Sequence, residues 1–245
     1  MTDVPTTSAD LIIDAREVSL SYGATRALDR VSLHIRPGEQ VALMGPSGSG
    51  KSSLLHCLAG IVKPDTGSVT VNGQGVDTLA ESARSRLRLT TMGMVFQFGD
   101  LVAELTLLEN VALPLQLLGT RTSTARDKAR KLLETFDIAD VANRRAGAVS
   151  GGQAQRAAVA RAMVHEPPVI FADEPTGSLD TLTAEAVLDA LVALTSSRGA
   201  ALLVVTHDHR VAAHLSRCVS MVDGRVTADS EALATMADAA ATAGS

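Results

Sequence analysis

The sequence predicts an α/β fold with a mainly parallel sheet and an inserted block of helices. Short strand-like segments recur at residues 40–44, 169–172 and 201–206, and the last two are almost entirely apolar. Strands of that composition are typical of parallel sheets, because both faces of such sheets are covered. Helical patterns follow the strands and replace them over about residues 101–148. With 245 residues, the chain is long enough for one large domain or for one domain with an insertion.

The remaining elements follow from local patterns. Near the N-terminus, short strands are expected at residues 11–13, 17–21 and 31–35. Further strands are predicted at 69–71 and 94–96, and helices at 52–59, 106–118, 126–136, 154–163 and 183–194. The alanine-rich residues 228–245 are expected to form a marginal helix or a disordered tail.

A glycine-rich loop, Gly45-Pro46-Ser47-Gly48-Ser49-Gly50-Lys51-Ser52, lies between the strand at 40–44 and the helix at 52–59. A phosphate-binding loop requires this context. The glycines let backbone N–H groups converge on a β-phosphate, and the helix presents its positive N-terminus to the same group. Lys51 is expected to bridge the β- and γ-phosphates, and the Ser52 hydroxyl to bind Mg²⁺. The loop therefore predicts a nucleoside triphosphate site; the alternative is a glycine turn with a solvated lysine.

Two adjacent carboxylates, Asp173 and Glu174, follow the apolar strand at 169–172. Ligands gather at the carboxyl ends of parallel strands. Asp173 is therefore expected to hold the hydration shell of Mg²⁺, and Glu174 to act as general base for an attacking water. The alternative is that the two acids merely cap a strand.

Two further polar side chains follow predicted strands. His207 comes after the strand at 201–206, where its imidazole can bond a γ-phosphate and sense its loss. Gln97 follows the strand at 94–96, where its amide can bind Mg²⁺ or the attacking water, although an ordinary loop position explains it about equally well. The run His207-Asp208-His209 lacks further ligands at suitable spacing, so no transition-metal site is predicted.

A second glycine-rich turn, Ser150-Gly151-Gly152-Gln153, precedes the helix at 154–163. It is rich in donors, and the helix N-terminus behind it favours anions, so it predicts a second contact to phosphate. Tyr22, the only tyrosine, lies in a Ser-Tyr-Gly turn that suits stacking on a purine ring. Tyrosines are also common in surface turns, so this position alone is weak support for a base contact.

Composition argues against nucleic acid as a partner. The net charge of −5 provides no global positive field, and 2% aromatic residues provide no base-stacking platform. Residues 1–10 contain no basic segment followed by an apolar stretch, so they do not resemble a secretory signal. No run of about 18 apolar residues suggests a membrane span. We therefore expect a soluble, cytoplasmic chain.

These motifs together resemble the nucleotide-binding subunits of ATP-binding cassette (ABC) transporters, over about residues 11–226. In the order of that family they are Tyr22 as A-loop, Gly45 to Ser52 as Walker A, Gln97 as Q-loop, Ser150 to Gln153 as signature, Val169 to Asp173 with Glu174 as Walker B and its glutamate, Ser178-Leu179-Asp180 as D-loop, and His207 as switch histidine. The resemblance implies ATP and Mg²⁺ as cofactors, with Ser53 and Asp180 among the nucleotide contacts. Within the family, residues 41–52, 109–114 and 172–180 resemble the LolD, MacB and BceA-like group.

The resemblance implies a P-loop NTPase core with an N-terminal antiparallel β subdomain and an α-helical subdomain at about 98–165. A single nucleotide-binding domain would span 11–227, between a disordered N-terminus at 1–10 and the tail at 228–245. The family further implies a homodimer, or a dimer with a related subunit, joined head to tail. In such a dimer the signature of one chain faces the ATP held by Lys51 of the other.

The family also implies an integral membrane permease as a separate, MacB/FtsX-like chain, so that this subunit would lie peripherally on the cytoplasmic side of the membrane. Permeases of this group couple ATP hydrolysis to lipoprotein extraction, efflux or antimicrobial-peptide resistance. One alternative is an FtsE-like cell-division regulator that transports nothing. A DNA-repair or chromosome-structure ATPase would interrupt the cassette with coiled coils or zinc modules, and a small-molecule kinase would leave the signature and His207 unexplained.

Overall fold

The computed structural model describes residues 11–96, 100–177 and 179–230. In chain order its elements are β1 (Ile13–Tyr22), β2 (Thr25–Ile35), β3 (Gln40–Met44), α1 (Lys51–Leu58), β4 (Thr66–Val71), β5 (Gln74–Gly75), α2 (Glu81–Thr91), β6 (Met92–Val95), α3 (Leu107–Leu117), α4 (Thr122–Thr135), α5 (Gly151–Met163), β7 (Val169–Asp173), α6 (Thr181–Arg198), β8 (Ala201–Thr206), α7 (His209–Ala213), β9 (Arg217–Val222) and β10 (Arg225–Asp229).

The chain divides into two compact units. The first comprises Met1–Leu79 and Leu203–Ser245, and the second comprises Ala80–Leu202. The predicted disordered N-terminus at 1–10 and residues 231–245 of the predicted tail lie outside the described residues. The start of that tail was predicted wrongly, because Ala228 and Asp229 belong to β10, where they pair with β9.

The first unit contains a four-stranded antiparallel sheet in the order β2-β1-β4-β5. Ile13 in β1 pairs with Ile35 on one side and Val71 on the other, so β1 is an interior strand. The prediction of separate strands at 11–13 and 17–21 was wrong. The two segments form one strand, because an irregularity in pairing between Ala15 and Val18, with Glu17 at φ 49°, absorbs the break in pattern.

The first unit also contains strands in the order β10-β9-β3-β8. β3 is buried throughout and pairs parallel with β9. The patterns did not predict β9 and β10. In β9, the charged Arg217 interrupts the apolar pattern by which a strand is recognised, although it is only 8% exposed. Its bonds to Asp229 (2.7 Å) and Glu39 (2.9 Å) offset the cost of burying its charge.

The second unit is mainly helical, with β6 and β7 pairing parallel. Helices α3, α5 and α6 form near the predicted positions, and α4 begins four residues earlier than the predicted 126. The sequence patterns missed α2, because it buries only Leu87 and Thr91 and is otherwise polar. Across the described ranges, no helix is both long and apolar enough to cross a membrane.

Together, the antiparallel sheet, the parallel strand pairs and the helical segment after β6 agree with the predicted α/β fold class.

Candidate active site

The phosphate loop, residues 45–52, runs in the first unit from the end of β3 into α1. Gly45, Gly48 and Gly50 have φ values of 149°, 78° and 97°, a region that favours glycine. A Cβ on Gly45 would lie 2.1 Å from the Met221 carbonyl oxygen, and one on Gly50 would lie 2.4 Å from the Ala27 carbonyl oxygen. A side chain at position 45 or 50 would therefore clash with neighbouring backbone, in addition to straining the turn.

Lys51 is the first residue of α1 and is only 8% exposed. Its Nζ donates to the carbonyl oxygens of Gly45 (2.7 Å) and Pro46 (2.8 Å), so the ammonium group is held against the loop. The helix has no side-chain cap at Gly50, and the N–H groups of a first turn lack partners within the helix. Ser47 and Ser52 are exposed beside them. The loop thus combines a fixed cation with a helix N-terminus, as phosphate binding needs.

The turn between β9 and β10 is hydrogen-bonded to the backbone of the phosphate loop. The Gly224 N–H donates to the Ser49 carbonyl oxygen (3.0 Å), and the Gly224 carbonyl oxygen accepts the Asp29 N–H (2.9 Å). The side-chain bond from Arg225 lowers the pKa of Asp29 below its ordinary value. Sequence reasoning missed this support, although Asp223-Gly224 is a recognisable turn signal.

Tyr22 and His207 also belong to the first unit. Tyr22 ends β1 and is 52% exposed, which leaves its ring accessible. His207 is exposed directly after β8, as predicted from the strand pattern. Next to it, Asp208 caps α7 by accepting the Arg210 N–H (2.8 Å), and its bonds with the Arg210 side chain and backbone lower the pKa of Asp208.

Asp173 and Glu174 lie at the end of β7 in the second unit. Asp173 is the last residue of the strand and is half-buried. The strand stops there because Glu174 adopts φ 46°, and the Gly177 N–H donates back to its carbonyl oxygen (3.2 Å). The left-handed conformation is uncommon for a residue with a side chain and often marks functional positions.

The signature turn, residues 150–153, forms the start of α5. The Ser150 Oγ accepts the Gln153 N–H (3.3 Å), and the Gln153 Oε1 accepts the Ser150 N–H (3.1 Å), which is a complete capping box. The prediction that the helix begins at 154 was wrong by three residues, because this cap lets Gly151 and Gly152 join its first turn. Gln153, predicted as a nucleotide contact, has an observed structural role in the cap.

Asp180 has a similar capping role at the start of α6. Its Oδ1 accepts the Thr183 N–H (3.1 Å), and the bonds to Thr183 lower the pKa of Asp180. Its predicted contact with nucleotide stays a prediction. Ser178 of the same motif and Gln97 of the predicted Q-loop lie outside the described residues.

Gln155 is a buried polar residue that sequence reasoning missed. It is 2% exposed on the inner face of α5, and its Nε2 donates to the carbonyl oxygens of Pro175 (2.9 Å) and Phe96 (3.2 Å). One signal could have revealed it: α5 buries mainly small apolar side chains, among which a glutamine is an exception.

Of the residues predicted to bind Mg²⁺, Ser52 and Asp173 belong to the described part of the chain. The Ser52 hydroxyl and the Asp173 carboxylate are oxygen donors of the kind that Mg²⁺ prefers, and both are at least partly accessible. Each donor, taken singly, therefore fits the ion. Among the described residues, no group of three or more His, Cys, Asp and Glu side chains could hold a metal by itself.

Comparison with known proteins identifies relatives for this arrangement. Residues 28–177 match the ABC transporter family model. The chain is 43% identical over 204 residues to the lipoprotein-releasing system ATP-binding protein LolD 2 of Caulobacter vibrioides, covering 83% of this chain and 90% of that protein. It is 40% identical over 222 residues to LolD of Geobacter metallireducens, covering 89% and 99%.

A solved structure is also similar to most of this chain. The dimeric post-hydrolysis state of the ATP-binding cassette MJ0796, bound to ADP and Pi, superposes with a TM-score of 0.85 at 36% identity. The similarity covers 89% of this chain and 97% of that one.

Proposed function

The chain belongs to the ABC transporter ATP-binding subunits, which are ATPases, and we propose that it works as a head-to-tail dimer that drives a separate membrane permease. One observation carries the proposal. The motifs of the family occur in the family's order on this chain, which is about 40% identical to LolD proteins over most of its length. The described residues of these motifs lie at the starts of helices and the ends of strands.

In the proposed reaction, the phosphate loop binds the triphosphate of ATP. Lys51 neutralises charge on the β- and γ-phosphates, and the N-terminus of α1 adds to that attraction. Ser52 and Asp173 would hold Mg²⁺, which neutralises phosphate charge when bound. Tyr22, being accessible, offers an aromatic face to the adenine ring.

Hydrolysis itself is assigned to Glu174, which accepts a proton from the attacking water as general base. His207 contacts the γ-phosphate and responds to its loss. Gln97 is proposed to bind Mg²⁺ or the water. The three assignments rest on the sequence motifs and, for Glu174 and His207, on positions directly after buried strands.

The signature turn is proposed to complete the ATP site of a second copy. Gly151 and Gly152 lie in the first turn of α5, where the helix offers their N–H groups no acceptor. Ser150 and Gly151 are exposed. An anion carried by another molecule is the natural partner for such a turn.

The permease is proposed to be MacB/FtsX-like, with this chain bound peripherally on the cytoplasmic side of the membrane. The names of the relatives favour lipoprotein release as the transport process. Co-purification from solubilised membranes tests this point. A partner with four transmembrane helices and a large extracytoplasmic domain is expected, and recovery of a permease of another architecture would contradict it.

The test of hydrolysis is Glu174→Gln. Because a general base contributes about 10²–10⁴-fold, we expect turnover to fall at least about a hundredfold while ATP binding persists and an ATP-bound dimer accumulates. Size-exclusion chromatography with ATP measures the dimer. Glu185→Gln, at an exposed position of α6, is the matched control. Full turnover in Glu174→Gln would remove this residue from the mechanism.

Mixing two inactive variants tests the composite site. Ser150→Arg and Lys51→Ala chains, when paired head to tail, create one intact site and one doubly broken site. ATPase activity should therefore return on mixing. If no mixture restores turnover, the two chains do not build independent composite sites.

A further inference from the structure

We propose that Gln155 is a positioning residue that holds the signature turn at a fixed position relative to the backbone at Phe96 and at Pro175, next to Glu174. The inference rests on the proposed function, because it assigns Gln155 to the geometry of that active site. Gln155 itself touches neither the phosphate loop nor the signature glycines in the bonds described above.

The amide of Gln155 connects three motif segments within the second unit. It projects from α5 two residues after the signature turn, and its two donated bonds end on Phe96, directly before Gln97, and on Pro175, directly after Glu174. Each acceptor is a backbone carbonyl, so the side chain fixes main-chain positions rather than mobile side-chain tips.

Burial makes these bonds consequential. Gln155 is 2% exposed, and a buried amide or carbonyl without a partner is unfavourable because it has lost its hydrogen bonds to water. A displacement of α5 along its axis would break both bonds together. At the other end of the helix, β6 approaches closely, since a Cβ on Gly93 would lie 2.2 Å from the Ala162 carbonyl oxygen. The helix is thus fixed near both ends.

Packing alone does not explain a glutamine here. The other buried residues of α5 are apolar, and a Met of similar length would fill the same space. Only a donor satisfies both carbonyls. The segment after β7 is also held by a turn, in which the Leu179 N–H donates to the Thr176 carbonyl oxygen (3.0 Å). Movement of the signature turn would therefore be transmitted through Pro175 to the backbone of Glu174.

The test is Gln155→Met, which keeps the volume and removes the donor. Misplacing a reacting group by about 1 Å can cost about a hundredfold in rate, so we expect kcat for ATP hydrolysis to fall by about tenfold or more. ATP affinity of the isolated chain should change less than about twofold, because the phosphate loop belongs to the other unit. Gln155→Asn, which keeps an amide on a shorter stem, should be intermediate and serves if the Met variant does not fold.

Thr195→Val is the matched control. Thr195 is also fully buried in the second unit, but its hydroxyl donates within its own helix, to Leu191 and Val192 (2.9 Å each). We expect this variant to lower the melting temperature without a selective loss of kcat. If Thr195→Val and the Gln155 variants lose kcat equally at equal loss of stability, Gln155 has only a structural role.

Hydrogen exchange separates this inference from the proposed function. In Gln155→Met, backbone amides of residues 150–154 and 176–180 should lose more protection than the remainder of α5. Unchanged protection there overturns the positioning role even if the ATPase works as proposed. Lost protection in Gln155→Met, together with full turnover in Glu174→Gln, would instead retain the positioning role and reject Glu174 as the general base.

Discussion

The phosphate loop and the signature turn both place backbone N–H groups at the start of a helix, but they are built differently. The phosphate loop is surrounded by backbone from distant parts of the chain, namely Met221, Ala27 and Gly224. The signature turn takes its local conformation from its own residues, through the bonds between Ser150 and Gln153, and bonds from Gln155 of the same helix reach other segments. A Cβ on Gly151 would meet nothing within 4 Å.

This difference separates two reasons for a glycine. At positions 45 and 50, neighbouring carbonyl oxygens of the same chain exclude a side chain. At position 151, the chain itself imposes no such limit, so any need for glycine must come from a ligand or another molecule. The contrast agrees with a loop that is prepared to bind ATP by itself and a turn that acts on a partner's ATP. The following substitutions test it, in order of their expected effect on the free energy of unfolding.

The largest effect is expected for Gly45→Ala. The added methyl would lie 2.1 Å from the Met221 carbonyl oxygen, and backbone cannot move aside cheaply. We expect the free energy of unfolding to fall by about 4 kcal/mol or more, with loss of ATP binding. Urea denaturation measures the change. Gly48→Ala, which has positive φ but open space, is the control and should cost only about 1–2 kcal/mol. Equal losses of stability in the two variants would show that the positive φ of each glycine, and not the contact with Met221, determines the need for glycine in the loop.

A smaller loss is expected for Gly224→Ala, because the new Cβ would lie 2.7 Å from the Ala27 carbonyl oxygen at φ 73°. We expect about 2 kcal/mol of destabilisation and weaker ATP binding, since the bond from Gly224 to Ser49 would shift. Gly199→Ala, with φ 63° and nothing within 4 Å, is the control for backbone strain alone. ATP titration of both variants distinguishes them. Unchanged affinity in Gly224→Ala would mean that the turn does not support the phosphate loop.

Ser150→Ala tests the local construction of the signature turn. It removes the acceptor for the Gln153 N–H, and loss of such a cap costs about 1 kcal/mol. Ser150→Asn should restore stability, because asparagine is also a good cap. Thermal unfolding of the three chains provides the comparison. A loss far above about 1 kcal/mol would indicate that the Ser150 hydroxyl does more than cap the helix.

The smallest effect on stability is expected for Gly151→Ala. Alanine in a helix is favoured over glycine by about 0.5–1 kcal/mol, and the site has room for it, so stability should stay constant or rise slightly. In the proposed composite site, ATPase activity should nevertheless fall, because the methyl would obstruct the approach of a triphosphate held by the second chain. Measuring both steady-state ATP turnover and the melting temperature of this variant tests whether activity falls while stability is kept. Wild-type turnover would contradict a role for Gly151 in a composite site.

Much of the site could be predicted from sequence because its determinants are local. The phosphate loop, the carboxylates at the end of β7 and His207 after β8 are contiguous with the patterns that predict their strands, and the described residues occupy those positions. The signature turn was also visible, although its helix begins at Gly151. Contacts with no local pattern were missed, since neither Gln155 nor Gly224 belongs to the motif set on which the predictions rested.

By itself, the sequence determined the fold class, the family, and the loops at which nucleotide chemistry is expected. Apolar patterns predict the fold class, glycine-rich motifs between predicted strands and helices predict the loops, and the order of the motifs carries the resemblance to the family. The tertiary structure alone decided how the loops are held: Gly224 behind Ser49, Gln155 between Phe96 and Pro175, and Arg217 buried between two carboxylates. Apart from Arg217 and Asp229, which are 12 positions apart on neighbouring strands, the partners are 20 or more positions apart, and only folding brings them within hydrogen-bond distance.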